Sequence, residues 1–312
     1  MERLETEIYL RYKQIIESQG FVVPAAGESP APRRVRMEDL LDRYDAFCFD
    51  GYGTLYNRGS FVYEGALDWY TMLRAAGKQM RLITNAASDV DSVLAADAGK
   101  RGFAFSETET ISSGSLLKDL CAELRGCGKA VREVYYIGRE TGKHVLENCG
   151  IKAVAPAVEP VEPIVAISSA KDTPETYEQV VKILRRPGSM LLVLNSDAWA
   201  PKIPGDDGMT VREPVSGELS ERLRRDSMCE ANGGAGCETY YLGKPFPAIW
   251  EKVKRSLPEG SRVLMVGDTL GTDVLGARIA GFDSALVVGR NVPADELEAD
   301  EKALGIRPDY YL

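Results

Sequence analysis

A chain of 312 residues exceeds one typical domain of about 100–200 residues and leaves room for two. Hydrophobic residues are 44% and charged residues 27% of the chain, so a sizeable core can be buried. Acidic residues outnumber basic ones 47 to 38 (net charge −9), which argues against general binding to nucleic acid or anionic membrane, and a single histidine, His144, excludes multi-histidine zinc sites.

In chain order, Leu4, Ile8, Tyr12 and Ile15 recur at helical spacing and predict an amphipathic helix over residues 1–18. The same segment carries Glu2, Arg3, Glu5 and Glu7, so no signal-peptide apolar region is expected there. Pro24, Pro30 and Pro32 mark a linker, and the following Arg33-Arg34-Val35-Arg36 reads as a solvated basic face. From residue 45 onward, short apolar runs alternate with helical stretches. Strands are predicted at 45–49, 79–83, 133–137, 164–167, 190–194, 240–242, 263–266 and 285–288. Helices are predicted at 64–76 (ended by Gly77), after Ser88, at 247–256 and at 272–280. Such alternation predicts an α/β fold with largely parallel, doubly wound sheets. No apolar run approaches the roughly 18 residues of a membrane span. Cys48, Cys121, Cys127, Cys149, Cys229 and Cys237 form no Cys-x-x-Cys pair, so a cytoplasmic protein with reduced thiols is expected.

Open parallel sheets place their sites beyond the carboxyl ends of the strands, so the residues after each apolar run matter most. Phe47-Cys48-Phe49 is followed by Asp50-Gly51-Tyr52-Gly53-Thr54-Leu55, and Leu82-Ile83 by Thr84-Asn85. Tyr241-Leu242 is followed by Gly243-Lys244-Pro245, and Leu264-Met265-Val266 by Gly267-Asp268 and, five residues on, Asp273. Two carboxylate-bearing strand ends, a hydroxyl end and a lysine end are the equipment for a divalent cation and a phosphate. All-oxygen ligation suits Mg²⁺.

These four blocks, in this order, resemble the haloacid dehalogenase superfamily. The long interval between Thr84 and Lys244 is similar to its class IIA, NagD-like branch. The resemblance implies a phosphohydrolase acting on a small phosphorylated metabolite. Asp50 would be the nucleophile that becomes an aspartyl-phosphate, Thr84 the hydroxyl binding the transferring phosphoryl group, and Lys244 its neutralising cation. Mg²⁺ would be held by Asp50, the main-chain carbonyl of Tyr52, Asp268 and Asp273. The resemblance also implies a core formed by residues 38–126 and 239–312, after an N-terminal segment 1–37. An inserted α/β cap over residues 127–238 would exclude water and carry a homodimer contact. Gly51, Asn85, Asn195 and Asp197 would be the substrate-binding set. Asn195 and Asp197 belong to a loop that reads equally as an ordinary polar turn.

The chain departs from the family pattern at Tyr52, where most members carry a second aspartate that protonates the leaving group. Losing that acid typically costs 10²–10⁴-fold. Asp-x-Tyr-Gly-Thr-Leu is instead similar to the dehalogenases themselves, which attack carbon without metal. The acidic Asp268–Asp273 block and the insertion after Thr84 weigh against that reading. A site that binds without turnover is the third reading. Gly138-Arg139-Glu140-Thr141-Gly142-Lys143-His144 lacks the spacing of a P-loop, and His144 reads as a helix-surface residue. The glycine-rich stretch 232–236 reads as a connection rather than a site.

Overall fold

The computed structural model describes residues 4–25, 31–204, 211–230, 233–234 and 236–312. Pro30 and part of the stretch 232–236 lie outside the described residues. The strands in chain order are β1 (Arg33–Arg34), β2 (Ala46–Phe49), β3 (Gln79–Thr84), β4 (Thr110–Ser112), β5 (Glu133–Ile137), β6 (Lys152–Ala153) and β7 (Ile164–Ile167). They continue with β8 (Met190–Val193), β9 (Trp199–Pro201), β10 (Arg212–Pro214), β11 (Glu238–Tyr241), β12 (Val263–Gly267), β13 (Asp283–Leu286) and β14 (Tyr310–Tyr311). Seven of these form one parallel sheet in the order β1-β14-β13-β12-β2-β3-β4. Five form a second parallel sheet in the order β11-β8-β7-β5-β6. β9 and β10 make a short antiparallel hairpin.

Side-chain alternation explains the layering. Along β2, Ala46 and Cys48 join one apolar cluster while Phe47 and Phe49 join another, as period-two geometry requires of a strand buried on both faces. Phe47 and Phe49 are fully buried, each contributing about 1.5–3 kcal/mol. On their side lie Tyr70 and Leu73 of helix Ala66–Ala75 together with Phe103 and Phe105. On the other side, helices Leu117–Gly126 and Pro247–Ser256 fill the space between the two sheets. Leu117, Leu120, Ile249 and Trp250 share one cluster with Val134, Ile164, Ala166 and Leu192 of the second sheet. Helices Pro174–Leu184 and Ser216–Asp226 cover that sheet's outer face. The inserted sheet is therefore welded to the first by continuous apolar packing.

Three features differ from the sequence expectation. The strand expected at 240–242, assigned with residues 239–312 to the core, runs over Glu238–Tyr241 and pairs with β8 in the inserted sheet. Its residues Thr239, Tyr240 and Tyr241 are half-exposed and amphipathic, so apolar content alone could not allot it to either sheet. The helix expected from Thr272 begins as a wide π-type turn, Leu270–Val274, before helix Leu275–Ala280. Such turns recur at functional positions. The basic Arg33-Arg34 pair is solvated as expected, yet its backbone forms the edge strand β1 against β14.

Candidate active site

Register sets the site. Phe49 is level with Leu82 in β3 and with Val266 in β12, so Asp50, Thr84 and Asp268 leave neighbouring strands at the same edge. From the inserted sheet, β8 leads through Leu194 into Asn195-Ser196-Asp197, and β11 leads into Gly243-Lys244. The carboxyl ends of both sheets thus converge.

The centre is a buried ammonium between carboxylates. Lys244 is 1% exposed, and its Nζ donates to Asp50 Oδ1 at 2.5 Å and to Asp273 Oδ1 at 2.7 Å. The second oxygen of Asp273 accepts the amide N–H groups of Asp268 and Thr269, both at 3.1 Å, which the π-type turn makes possible. Asp268 Oδ1 accepts from the Thr269 hydroxyl at 3.2 Å, while Asp268 Oδ2 is buried without a hydrogen-bond partner. Carboxylate oxygens of Asp50, Asp268 and Asp273 lie within 4.8 Å of one another. Gly53 makes room for this: its φ is 100°, and a Cβ there would overlap the Asp268 carboxylate.

Electrostatics follow from burial. Burial raises Asp50 to about 7, with Lys244 opposing and Asp273 adding to the rise. Burial, then Asp50 and Asp273, hold Asp268 well above the usual carboxylate range. Burial works to deprotonate Lys244, but Asp273 and Asp50 together raise it above its ordinary value. Asp50, Asp197, Asp268 and Asp273 against one lysine leave excess negative charge in a dry place. A divalent cation would relieve it, and the unpartnered Asp268 oxygen beside Asp50 fits such an ion.

Asn85 ties the two sheets together. Its Oδ1 accepts the Lys244 amide at 2.7 Å. Its Nδ2 faces the Lys244 carbonyl at 2.9 Å, Asp197 Oδ1 at 2.8 Å and Ser196 Oγ at 3.2 Å. Asp197 thus meets the lysine loop through Asn85, and burial raises it to about 6. The Thr84 hydroxyl is buried at the strand end and accepts the Ala86 amide at 3.1 Å.

Other expected residues serve different ends. Asn195 Oδ1 accepts the Asp197 amide at 2.9 Å, which shapes the turn. The Gly51 carbonyl accepts from Thr54, Leu55 and Tyr56, closing the loop after β2. The Tyr52 phenol lies 3.4 Å from Asp97 Oδ2 and packs edge-on against Tyr56. Burial raises its pKa, and Asp97, Arg101 and Arg139 are the charges that act on it most strongly. Expected as a catalytic group, this phenol meets Asp97 of helix Asp91–Gly99 instead.

The sequence reading missed Ser196, whose hydroxyl donates to the Lys244 carbonyl, and Arg290. The Arg290 guanidinium stacks on Tyr63 at 3.6 Å and lies 3.4 Å from the Gly53 carbonyl. Arg290 follows a strand by a few residues, so reading past the strand at 285–288 would have reached it. His144 is exposed beside Glu147, and all six cysteines are free thiols.

A family model for haloacid dehalogenase-like hydrolases matches residues 47–152, and a second model of the same kind matches residues 241–312. Chronophin of Mus musculus is 25% identical, covering 90% of this chain and 94% of its own length. Glycerol-3-phosphate phosphatase of Homo sapiens is 27% identical, with 81% of each chain covered. Among solved structures, a "possible sugar phosphatase" of the same superfamily from Cytophaga hutchinsonii superimposes with a TM-score of 0.72 at 24% identity. That superposition covers 90% of this chain and 97% of the other.

Proposed function

This chain belongs to the haloacid dehalogenase-like hydrolases, in the class IIA branch whose relatives are phosphatases, and from that premise we propose that it hydrolyses a small phosphorylated metabolite with Mg²⁺ through a phosphoaspartate on Asp50. The observation that carries this reading is the Lys244 ammonium held between Asp50 and Asp273 with the unpartnered Asp268 oxygen beside them. Two anions, a carboxylate and a phosphate ester, meet only where cations cancel their repulsion.

In the first step the free Asp50 oxygen attacks phosphorus, the P–O bond to the leaving group breaks, and the leaving oxygen takes a proton from solvent water. Lys244 orients Asp50 through its other oxygen and offsets charge at the phosphoryl group, and Thr84 supplies a hydroxyl at the same strand edge. In the second step water attacks phosphorus, phosphate leaves, and Asp50 is regenerated. Asp50, Asp268 and the Tyr52 carbonyl would hold Mg²⁺, with Asp273 fixing Lys244 and the turn. When bound, the ion supplies charge neutralisation at the phosphoryl oxygens.

Turnover is slow in this reading, because Tyr52 is a poor acid at neutral pH and its phenol is committed to Asp97. Substrates with good leaving groups are therefore favoured. The free thiols support a reducing, cytoplasmic location; no described helix is long and apolar enough to cross a membrane. A metabolite-phosphate panel with Mg²⁺ or EDTA tests the proposal. Phosphate release that EDTA stops is expected. Halide release from a 2-haloacid in EDTA would point to dehalogenation, and no release from any ester would leave a binding protein.

A further inference from the structure

The N-terminal helix Leu4–Ser18 precedes both family-model matches and takes no part in the chemistry above. Its buried face reaches two of the loops that deliver carboxylates to the site. The Tyr9 ring covers Gly271, within the π-type turn between Asp268 and Asp273, where a Cβ would overlap the ring. The Tyr9 hydroxyl accepts the amide N–H of Ala198 at 3.3 Å, and Ala198 follows Asp197 directly. One side chain therefore contacts the backbone two residues before Asp273 and one residue after Asp197.

The rest of the helix fastens it to both sides of the same joint. Toward the inserted domain, Arg11 pairs with Glu221 at 3.0 Å and Glu5 with Arg212 at 2.6 Å. Tyr12 packs on Tyr241 and Phe246, with ring centroids at 5.0 and 5.1 Å, and these two flank Gly243-Lys244. Toward the core, the Thr6 hydroxyl donates to Asp300 at 3.3 Å and Lys13 to the Leu304 carbonyl at 3.0 Å. Mere space filling needs neither a hydroxyl at position 9 nor a bare backbone at Gly271.

We propose that Tyr9 is a positioning residue, which holds the Asp268–Asp273 turn in place through its ring and the Asp197 loop in place through its hydroxyl. The assignment rests on the reading that Asp268 holds Mg²⁺ and that Asp273 fixes Lys244 and the turn that carries Asp268.

The test uses the full chain, Mg²⁺ alone in titration calorimetry, backbone hydrogen exchange, and kcat and KM on a phosphate ester. Tyr9→Leu and Gly271→Ala are each expected to weaken Mg²⁺ binding roughly tenfold, the low end of what outer-shell partners contribute. Lys13→Ala, which loosens the same helix at Leu304, is expected to lower Tm while leaving Mg²⁺ affinity at the wild-type value. Tyr9→Phe keeps the ring, so metal affinity should hold while the Ala198 amide exchanges faster and KM rises more than kcat falls. The inference is overturned if Tyr9→Leu binds Mg²⁺ as the wild type does, or if Lys13→Ala weakens binding equally. If the wild type binds no Mg²⁺, the proposed function fails instead. The exchange arm then still decides on Tyr9: unchanged protection of Ala198 in Tyr9→Phe overturns the inference, and lost protection retains the hydroxyl's role.

Discussion

The two parallel sheets share an architecture and differ in what their carboxyl ends carry. The seven-stranded sheet delivers Asp50 after β2, Thr84 at the end of β3 and Asp268 after β12. The five-stranded sheet delivers Lys244 after β11 and Asp197 after β8. The clustered acids Asp50 and Asp268, proposed above as nucleophile and metal ligand, thus come from one sheet and their counter-cation from the other. The difference teaches that the site exists only where the sheets meet. Neither could hold its charges alone, because buried carboxylates without the ammonium, or the ammonium without them, would be uncompensated.

The largest effect should come from the nucleophile. Asp50→Asn keeps the shape but removes the attacking oxygen's charge, and phosphate-ester turnover is expected to fall by at least about 10³-fold. A steady-state assay checks this, and unchanged turnover would remove Asp50 from the mechanism. Next, Lys244→Ala takes the second sheet's cation away and leaves Asp50 and Asp273 buried without their partner. Loss of turnover is expected together with destabilisation of about 3–5 kcal/mol. Urea unfolding reads the second part. The companion Asp50→Asn should cost far less stability, since Asn keeps an acceptor for Lys244.

Asn85→Ala cuts the bridge between the sheets and leaves the buried Lys244 amide without its acceptor, while the Lys244 carbonyl keeps only the Ser196 hydroxyl. The expected cost is about 2–3 kcal/mol, with unfolding still a single transition because the apolar layer between the sheets survives. Two separate transitions would mean that Asn85, rather than packing, joins the halves.

Asp197 sharpens the comparison through pH. Its folded value, raised to about 6 by burial, lies above the ordinary carboxylate value of about 3.9. The protonated form is therefore favoured in the fold. Its contribution is fully present below about pH 4 and is lost as pH rises through about 6. Asp197→Asn should accordingly stabilise the metal-free protein by about 2–3 kcal/mol at pH 8, by about half as much at pH 5 and by little at pH 4. Thermal melts at these pH values test the sign, and a gain larger at pH 5 than at pH 8 would contradict it. The smallest effect is reserved for Tyr52→Asp, which restores a short carboxylate two residues after the nucleophile. Roughly a tenfold rise in turnover is expected. A fall with Mg²⁺ binding intact would give the Tyr52–Asp97 contact a positive role.

Much of this site was legible because its chemistry sits at strand ends. Asp50, Thr84, Lys244, Asp268 and Asp273 each follow an apolar run closely enough to be read in one dimension. Which sheet β11 joins was not legible, since a half-exposed strand carries no apolar signature of its partner. The course of the Tyr52 side chain was hidden for a related reason. A side chain that size is directed by Tyr56 and Asp97, and Asp97 lies 45 positions away in sequence. The N-terminal helix was predicted from its spacing. Its target was not, because a stripe of Ile8, Tyr12 and Ile15 says that a face is buried and nothing about what buries it. The strands β4, β9 and β10, three residues each, are too short to carry a periodic signal.

The central claim is that Asp50 carries the phosphoryl group between two half-reactions. Borohydride reduces an acyl phosphate to an alcohol, so reduction of enzyme quenched during turnover converts a phosphorylated Asp50 to homoserine. Peptide mass spectrometry then locates the change. The account predicts homoserine at position 50, formed only when a phosphate ester and Mg²⁺ are both present and absent from Asp50→Asn. Turnover with no homoserine, or with homoserine at another aspartate, would contradict it.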